Sequence, residues 1–126
     1  MKVTGRITEG VQHFRARMTR YPEVFERATG ERLFPGTLNV DIGTPLECRE
    51  DFRIRGSEIG EPEQDLLFER CTIAGRDAYR IRPYQVRGGG GGHGDHVLEI
   101  ASVHELGPLF AGREDAVDIE FSRDAE

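Results

Sequence analysis

The sequence predicts a mainly β fold: a small β-barrel carrying one clear helix and one further segment compatible with a short second helix. Three observations predict it. Short stretches with period-two alternation recur along the chain, separated by Gly, Pro and Asp turn signals. Only Tyr21–Gly30 has clear helical spacing. Strands do not alternate with long helices as in a doubly wound sheet, and no internal repeat is present. At 126 residues the chain reads as a single domain, residues 1–126, long enough to bury one core.

In chain order, Val3–Thr8 reads as a strand with Val3, Gly5 and Ile7 on one face, and Glu9-Gly10 as a turn. Val11–Met18 alternates loosely and predicts the return strand of a hairpin. Tyr21–Gly30 predicts a helix. Pro22 suits the first helical position, Tyr21, Val24, Phe25 and Ala28 form one apolar face, and Gly30 is the stop. Residues 43–62 predict loops around a short strand at Asp51–Arg55. Leu66–Ile73 and Ala78–Val86 predict a hairpin turning at Ala74-Gly75-Arg76-Asp77. Val97–Ala101 is a short apolar strand interrupted by Glu99. Val103–Ala111 is compatible with a short helix limited by Pro108. Ala116–Phe121 alternates as a last strand, and Ser122–Glu126 reads as a frayed tail.

The formal charge of -6 argues against nucleic-acid binding driven by bulk electrostatics. Every cationic side chain except Lys2 is an arginine, which leaves many planar forks able to grip phosphate or carboxylate. Cys48 and Cys71 are isolated, so a cysteine-based zinc site is disfavoured; a disulfide between them stays open. The N-terminus has no apolar signal region, and no apolar run approaches the ~18 residues needed to span a bilayer. The expectation is a soluble cytoplasmic protein without a membrane partner.

The stretch Phe34-Pro35-Gly36-Thr37-Leu38-Asn39-Val40 combines a Pro-Gly turn with an alternating strand. Leu38 and Val40 suit a core. Thr37 and Asn39 share the other face and offer two neutral oxygens, which suit Mg²⁺ already carried by phosphates; the plainer reading is a turn entering a half-buried strand. The glycine run Gly88–Gly92 is not a Walker loop, because no G-x-x-x-x-G-K-[ST] exists. It reads as a connector over the barrel mouth, with a ligand-covering loop as the alternative. His93, Asp95 and His96 are potential metal ligands, but in a glycine-rich loop they are not pre-organised. Glu99 is either a solvent-facing strand residue or a carboxylate at a ligand pocket, orienting a hydroxyl or acting as a base. No Ser-His-Asp order or catalytic-cysteine context supports hydrolase chemistry.

Gly5, Glu9-Gly10, Phe14, Tyr21-x-x-x-Phe25, Gly30 and Pro35-Gly36-Thr37-Leu38-Asn39-Val40 occur in an order and spacing that resemble a known family, as do Leu98-Glu99-Ile100-Ala101, Leu106 and the strand around Val117. That family is the CTP-dependent riboflavin kinase of archaea. The resemblance implies a six-stranded cradle-loop barrel. It implies that Thr37 and Asn39 bind Mg²⁺ as cofactor, and that Glu9 and Gly10 border the phosphates of CTP. It also implies that His104, Glu105, Leu106 and Gly107 lie along the nucleotide, and that Glu99 contacts riboflavin and serves as the catalytic carboxylate. The implied reaction transfers the γ-phosphate of CTP to the riboflavin 5'-hydroxyl, giving FMN, by positioning and charge neutralisation.

The chain departs from the family's pattern in three places. The first loop is shorter, leaving mainly Glu9 and Gly10. Residues 104–107 carry no lysine or arginine, and the glycine run stands near the position where the family has a flavin-contacting threonine. Two alternatives follow: a barrel that binds a nucleotide or flavin without phosphate transfer, and a kinase of the same fold with a different small-molecule acceptor.

Overall fold

The structure, a computed structural model, describes residues 1–9, 14–87 and 96–123. Its strands are β1 (Lys2–Ile7), β2 (Leu38–Asp41), β3 (Phe52–Ile54), β4 (Gln64–Ile73), β5 (Arg76–Gln85), β6 (Val97–Ala101) and β7 (Val117–Phe121). Its helices are α1 (Phe14–Arg20) and α2 (Pro22–Thr29). Every pairing is antiparallel, in the order β3-β4-β5-β6-β2-β1-β7, and β7 returns to pair with β4. Six strands therefore close into a barrel. β3 is the extra strand, on the Leu66–Phe68 half of the β4 edge whose Cys71–Ile73 half closes onto β7.

The barrel interior and its outer cover are two separate cores. Val3, Ile7, Val40, Cys71, Ile73, Ala78, Leu98, Ile100, Val117, Ile119 and Phe121 come from all six barrel strands and fill the interior. A second core lies outside β3–β6, where Leu66, Phe68, Tyr79, Ile81 and Ala101 meet Phe14, Met18 and Phe25 of the helices. Part of β4–β6 is thus buried on both faces, charged residues included, although Arg70 and Asp77 on the same strands are exposed. Glu69, Arg80 and Glu99 are 2%, 1% and 1% exposed.

The predicted helix is α2, with Pro22 at its start and Gly30 in the left-handed conformation at its end. The hairpin β4–β5 turns through Ala74 and Gly75, both at positive φ, and pairs Ile73 with Arg76. The predicted strands at Val3–Thr8, 51–55, Val97–Ala101 and Ala116–Phe121 are β1, β3, β6 and β7.

Three expectations are corrected. The described part of Val11–Met18 is helical, because Phe14 and Met18 bury the same face at i, i+4 spacing. Within Val103–Ala111 only Gly107–Phe110 is helical, one 3₁₀ turn opened by Pro108. Of the expected tail Ser122–Glu126, Arg123 does not fray: its guanidinium donates to both Glu69 carboxylate oxygens and to the Glu47 carbonyl, while the Met1 ammonium donates to the Phe121 carbonyl; residues 124–126 lie outside the described residues. Cys48 and Cys71 are both free thiols. Among the described residues, no helix is long and apolar enough to cross a membrane.

Candidate functional site

The turn at Pro35-Gly36 becomes one wall of a cleft because α1 holds it. Met18, 3% exposed on α1, accepts a hydrogen bond from the Gly36 N–H through Sδ at 3.3 Å. Gly36 has φ of 118°, a conformation open to glycine and strained for other residues. Phe34 N–H donates to the Ser102 carbonyl at 2.8 Å, tying the start of this turn to the end of β6. Ser102 then organises the opposite wall: its hydroxyl donates to the Asp77 carbonyl and accepts from the His104 N–H. Buried Leu106 anchors the following turn by accepting a hydrogen bond from the Leu109 N–H.

Between these walls lies a cleft of about 440 Å³. Thr37 and Asn39 line it from one side, His104, Glu105, Leu106 and Gly107 from the other, and Phe14 and Arg15 of α1 overhang it. The two segments expected from the sequence to hold magnesium and nucleotide thus face the same space, although about 65 residues separate them. The Asn39 Oδ1 is buried without a hydrogen-bond partner. A buried carbonyl oxygen left this way costs stability unless a ligand satisfies it. With the Thr37 hydroxyl it offers hard, neutral oxygen donors, a set that fits Mg²⁺ already carrying phosphate and water ligands.

Glu9 and Glu99 fall elsewhere. Glu9 is exposed and is not part of the cleft lining; its neighbour Thr8 donates its N–H to the Asn39 carbonyl at 2.9 Å. Gly10 lies outside the described residues, as do Gly88–Gly92, His93 and Asp95. His96 accepts a hydrogen bond from the Ile42 N–H through its carbonyl. Among the described residues, no group of three or more His, Cys, Asp or Glu side chains is placed to hold a metal ion. Glu99 pairs across the sheet with Asn39 on one side and Ile81 on the other, and Ile81 with Phe68. Directly opposed residues share a face, so this row belongs to the helix-covered side. Glu99 is buried there and does not line the cleft.

Arg15 carries no site signal as long as Val11–Met18 is taken as a strand. The signal that finds it is Phe14 and Met18 as a helical pair, which places Arg15 on the same side of α1, three residues before Met18.

A second concavity, about 660 Å³, is lined by Glu47, Cys48, Arg53, Tyr84 and Arg123 among others. Its size does not make it the better candidate. Arg53 is taken by Glu50 and Asp65 and lies over the Tyr84 ring at 4.9 Å, and Arg123 is taken by Glu69. Burial pushes the Cys48 thiol up to about 11, which withholds the thiolate that nucleophilic chemistry needs. The larger concavity also carries the exposed Arg49, but among the described residues only the smaller cleft holds a buried side-chain oxygen without a partner, so it is the candidate site. No protein-family model matches this chain, and no curated protein matches it.

Proposed function

We propose that the cleft binds a magnesium–nucleoside triphosphate and that the protein is a small-molecule kinase of the CTP-dependent riboflavin kinase type. One observation carries this reading: Thr37 and Asn39 converge with His104–Gly107 on one cleft that contains a buried, unpartnered side-chain oxygen. In this reading Thr37 and Asn39 hold Mg²⁺, which neutralises charge on the phosphates. Residues 104–107 line the nucleotide, and the family resemblance gives the phosphates to Glu9 and Gly10, of which Glu9 does not line the cleft and Gly10 lies outside the described residues. The riboflavin 5'-oxygen forms the new bond to the γ-phosphorus as the bond to the β–γ bridging oxygen breaks, releasing CDP. The hydroxyl proton passes to a carboxylate or to water. The family resemblance assigns Glu99 to orient that hydroxyl; it is directly opposite Asn39 in the sheet but does not line the cleft.

The burial of Glu99 on the helix-covered face supports a second reading, a barrel that binds nucleotide or flavin without transferring phosphate. The two separate in one assay. The protein is incubated with Mg²⁺, riboflavin and each of CTP, ATP, GTP and UTP, and FMN is measured. FMN formation with CTP is the expected result, and formation with another acceptor only would redirect the substrate assignment. Absence of FMN with every donor would sink the riboflavin kinase reading; a nucleotide-dependent rise in melting temperature would then favour the binding barrel.

A further inference from the structure

We propose that Arg15 is the side chain that grips the terminal phosphates of a polyphosphate ligand in this cleft, an inference that rests on the cleft's being a magnesium–phosphate site. Arg15 is the one lysine or arginine among the described lining residues, and Glu105 is the one carboxylate. It is exposed and, among the described residues, has no ion-pair or hydrogen-bond partner. The contrast with other arginines is direct: Arg32 is taken by Glu26, Arg53 by Glu50 and Asp65, and Arg123 by Glu69.

Its position is built rather than incidental. Phe14 and Met18 bury the rest of α1, and the Met18 sulfur holds the Gly36 N–H, which fixes the helix against the turn. The Arg15 guanidinium then lies over Gly36, with two nitrogens 3.6 Å from where a side-chain carbon at that position would sit. The next residue is Thr37, so the planar fork stands beside the magnesium position. A guanidinium there can bind two phosphate oxygens at once. It supplies in the cleft the cation that residues 104–107 do not carry. The chain's charge of -6 means that no general basic surface could do the same.

The test is binding of inorganic tripolyphosphate and of CTP, each with Mg²⁺, by calorimetry. Wild type is compared with Arg15→Gln, Arg15→Lys and the exposed control Arg27→Gln, with melting curves confirming that each is folded. The expected result is about tenfold or greater weakening in Arg15→Gln, partial recovery in Arg15→Lys, and no change in Arg27→Gln. Equal binding by wild type and Arg15→Gln would overturn the proposal, as would failure of wild type to bind either ligand. FMN formation, measured in parallel, separates this inference from the kinase reading. Arg15-dependent binding without FMN removes the kinase and leaves the phosphate grip. Normal FMN turnover and an unchanged KM for CTP in Arg15→Gln remove the grip and leave the kinase.

Discussion

Asn39 on β2 and Glu99 on β6 are directly opposed in the sheet, yet Asn39 belongs to the cleft lining and Glu99 is sealed beneath the helical cover. The pair therefore marks where the cleft ends and the packed core begins. A purely structural asparagine would have its buried oxygen satisfied, and the Asn39 Oδ1 does not.

Asn39→Leu tests that difference. Removing a buried, unpartnered acceptor leaves the ligand-free protein as stable as wild type or more stable by about 1 kcal/mol. The same change removes a metal ligand, so the melting-temperature rise produced by Mg²⁺ with CTP should vanish. Thr37→Val should act in the same direction. A destabilised Asn39→Leu protein that still responds fully to Mg²⁺ and CTP would assign Asn39 to the scaffold.

Gly36 should tolerate no side chain without loss. At φ of 118° an alanine is strained, at a cost on the order of 1–3 kcal/mol, and its methyl group would come up against the Arg15 guanidinium. Gly36→Ala is therefore expected to lower the denaturant midpoint and to weaken tripolyphosphate binding together. Gly43→Ala makes the comparison: it is also at positive φ but is remote from the cleft lining, so it should cost stability and leave binding unchanged.

Arg123 closes the barrel seam. The β4–β7 register pairs Cys71 with Phe121, and carrying it two residues further sets Arg123 opposite Glu69. Their side chains are 11% and 3% exposed, and Glu69 also accepts the Arg49 N–H. Truncating the arginine removes the ion pair and two hydrogen bonds from a buried carboxylate that keeps the Arg49 N–H and has Arg80 opposite it in the β4–β5 register, so Arg123→Ala should cost about 3 kcal/mol by denaturant unfolding. A loss below about 1 kcal/mol would show that Glu69 does not depend on Arg123.

The fold was legible where one periodicity dominated. Tyr21, Val24, Phe25 and Ala28 could only be one helical face, and Val3, Gly5 and Ile7 one strand face. Val11–Met18 is ambiguous because Phe14, Ala16 and Met18 also fit a period of two, and only the burial of Phe14 with Met18 decides for a helix. A strand over Val11–Met18 leaves Arg15, and with it one wall of the cleft, out of the site. The strand Val97–Ala101 was right, but an isolated strand does not reveal that helices cover its second face, so Glu99 was expected at an open pocket. Thr37, Asn39 and residues 104–107 could be named from an ordered sequence pattern. Their meeting depends on the Phe34–Ser102 hydrogen bond, a contact between distant segments that no local pattern encodes.

The two thiols give the molecule a predictable alkaline response. Burial pushes Cys71 up to about 12 and Cys48 to about 11, from 9.0 for a free thiol. Raised native values mean that unfolded thiols ionise first as pH rises. Their contribution to stability is complete below pH 9 and is lost progressively up to about pH 12. Tyr79, pushed up to about 12 by burial and by its hydrogen bond to Glu31, adds to the same decline above its usual value of 10. Denaturant unfolding at a series of pH values should therefore show stability falling from about pH 9, and Cys48→Ser should flatten the first part of the fall. At pH 8 a thiol-specific disulfide reagent should leave both cysteines of the native protein largely unmodified and titrate both after unfolding. Rapid native labelling of Cys71 would show that the barrel interior opens at that strand.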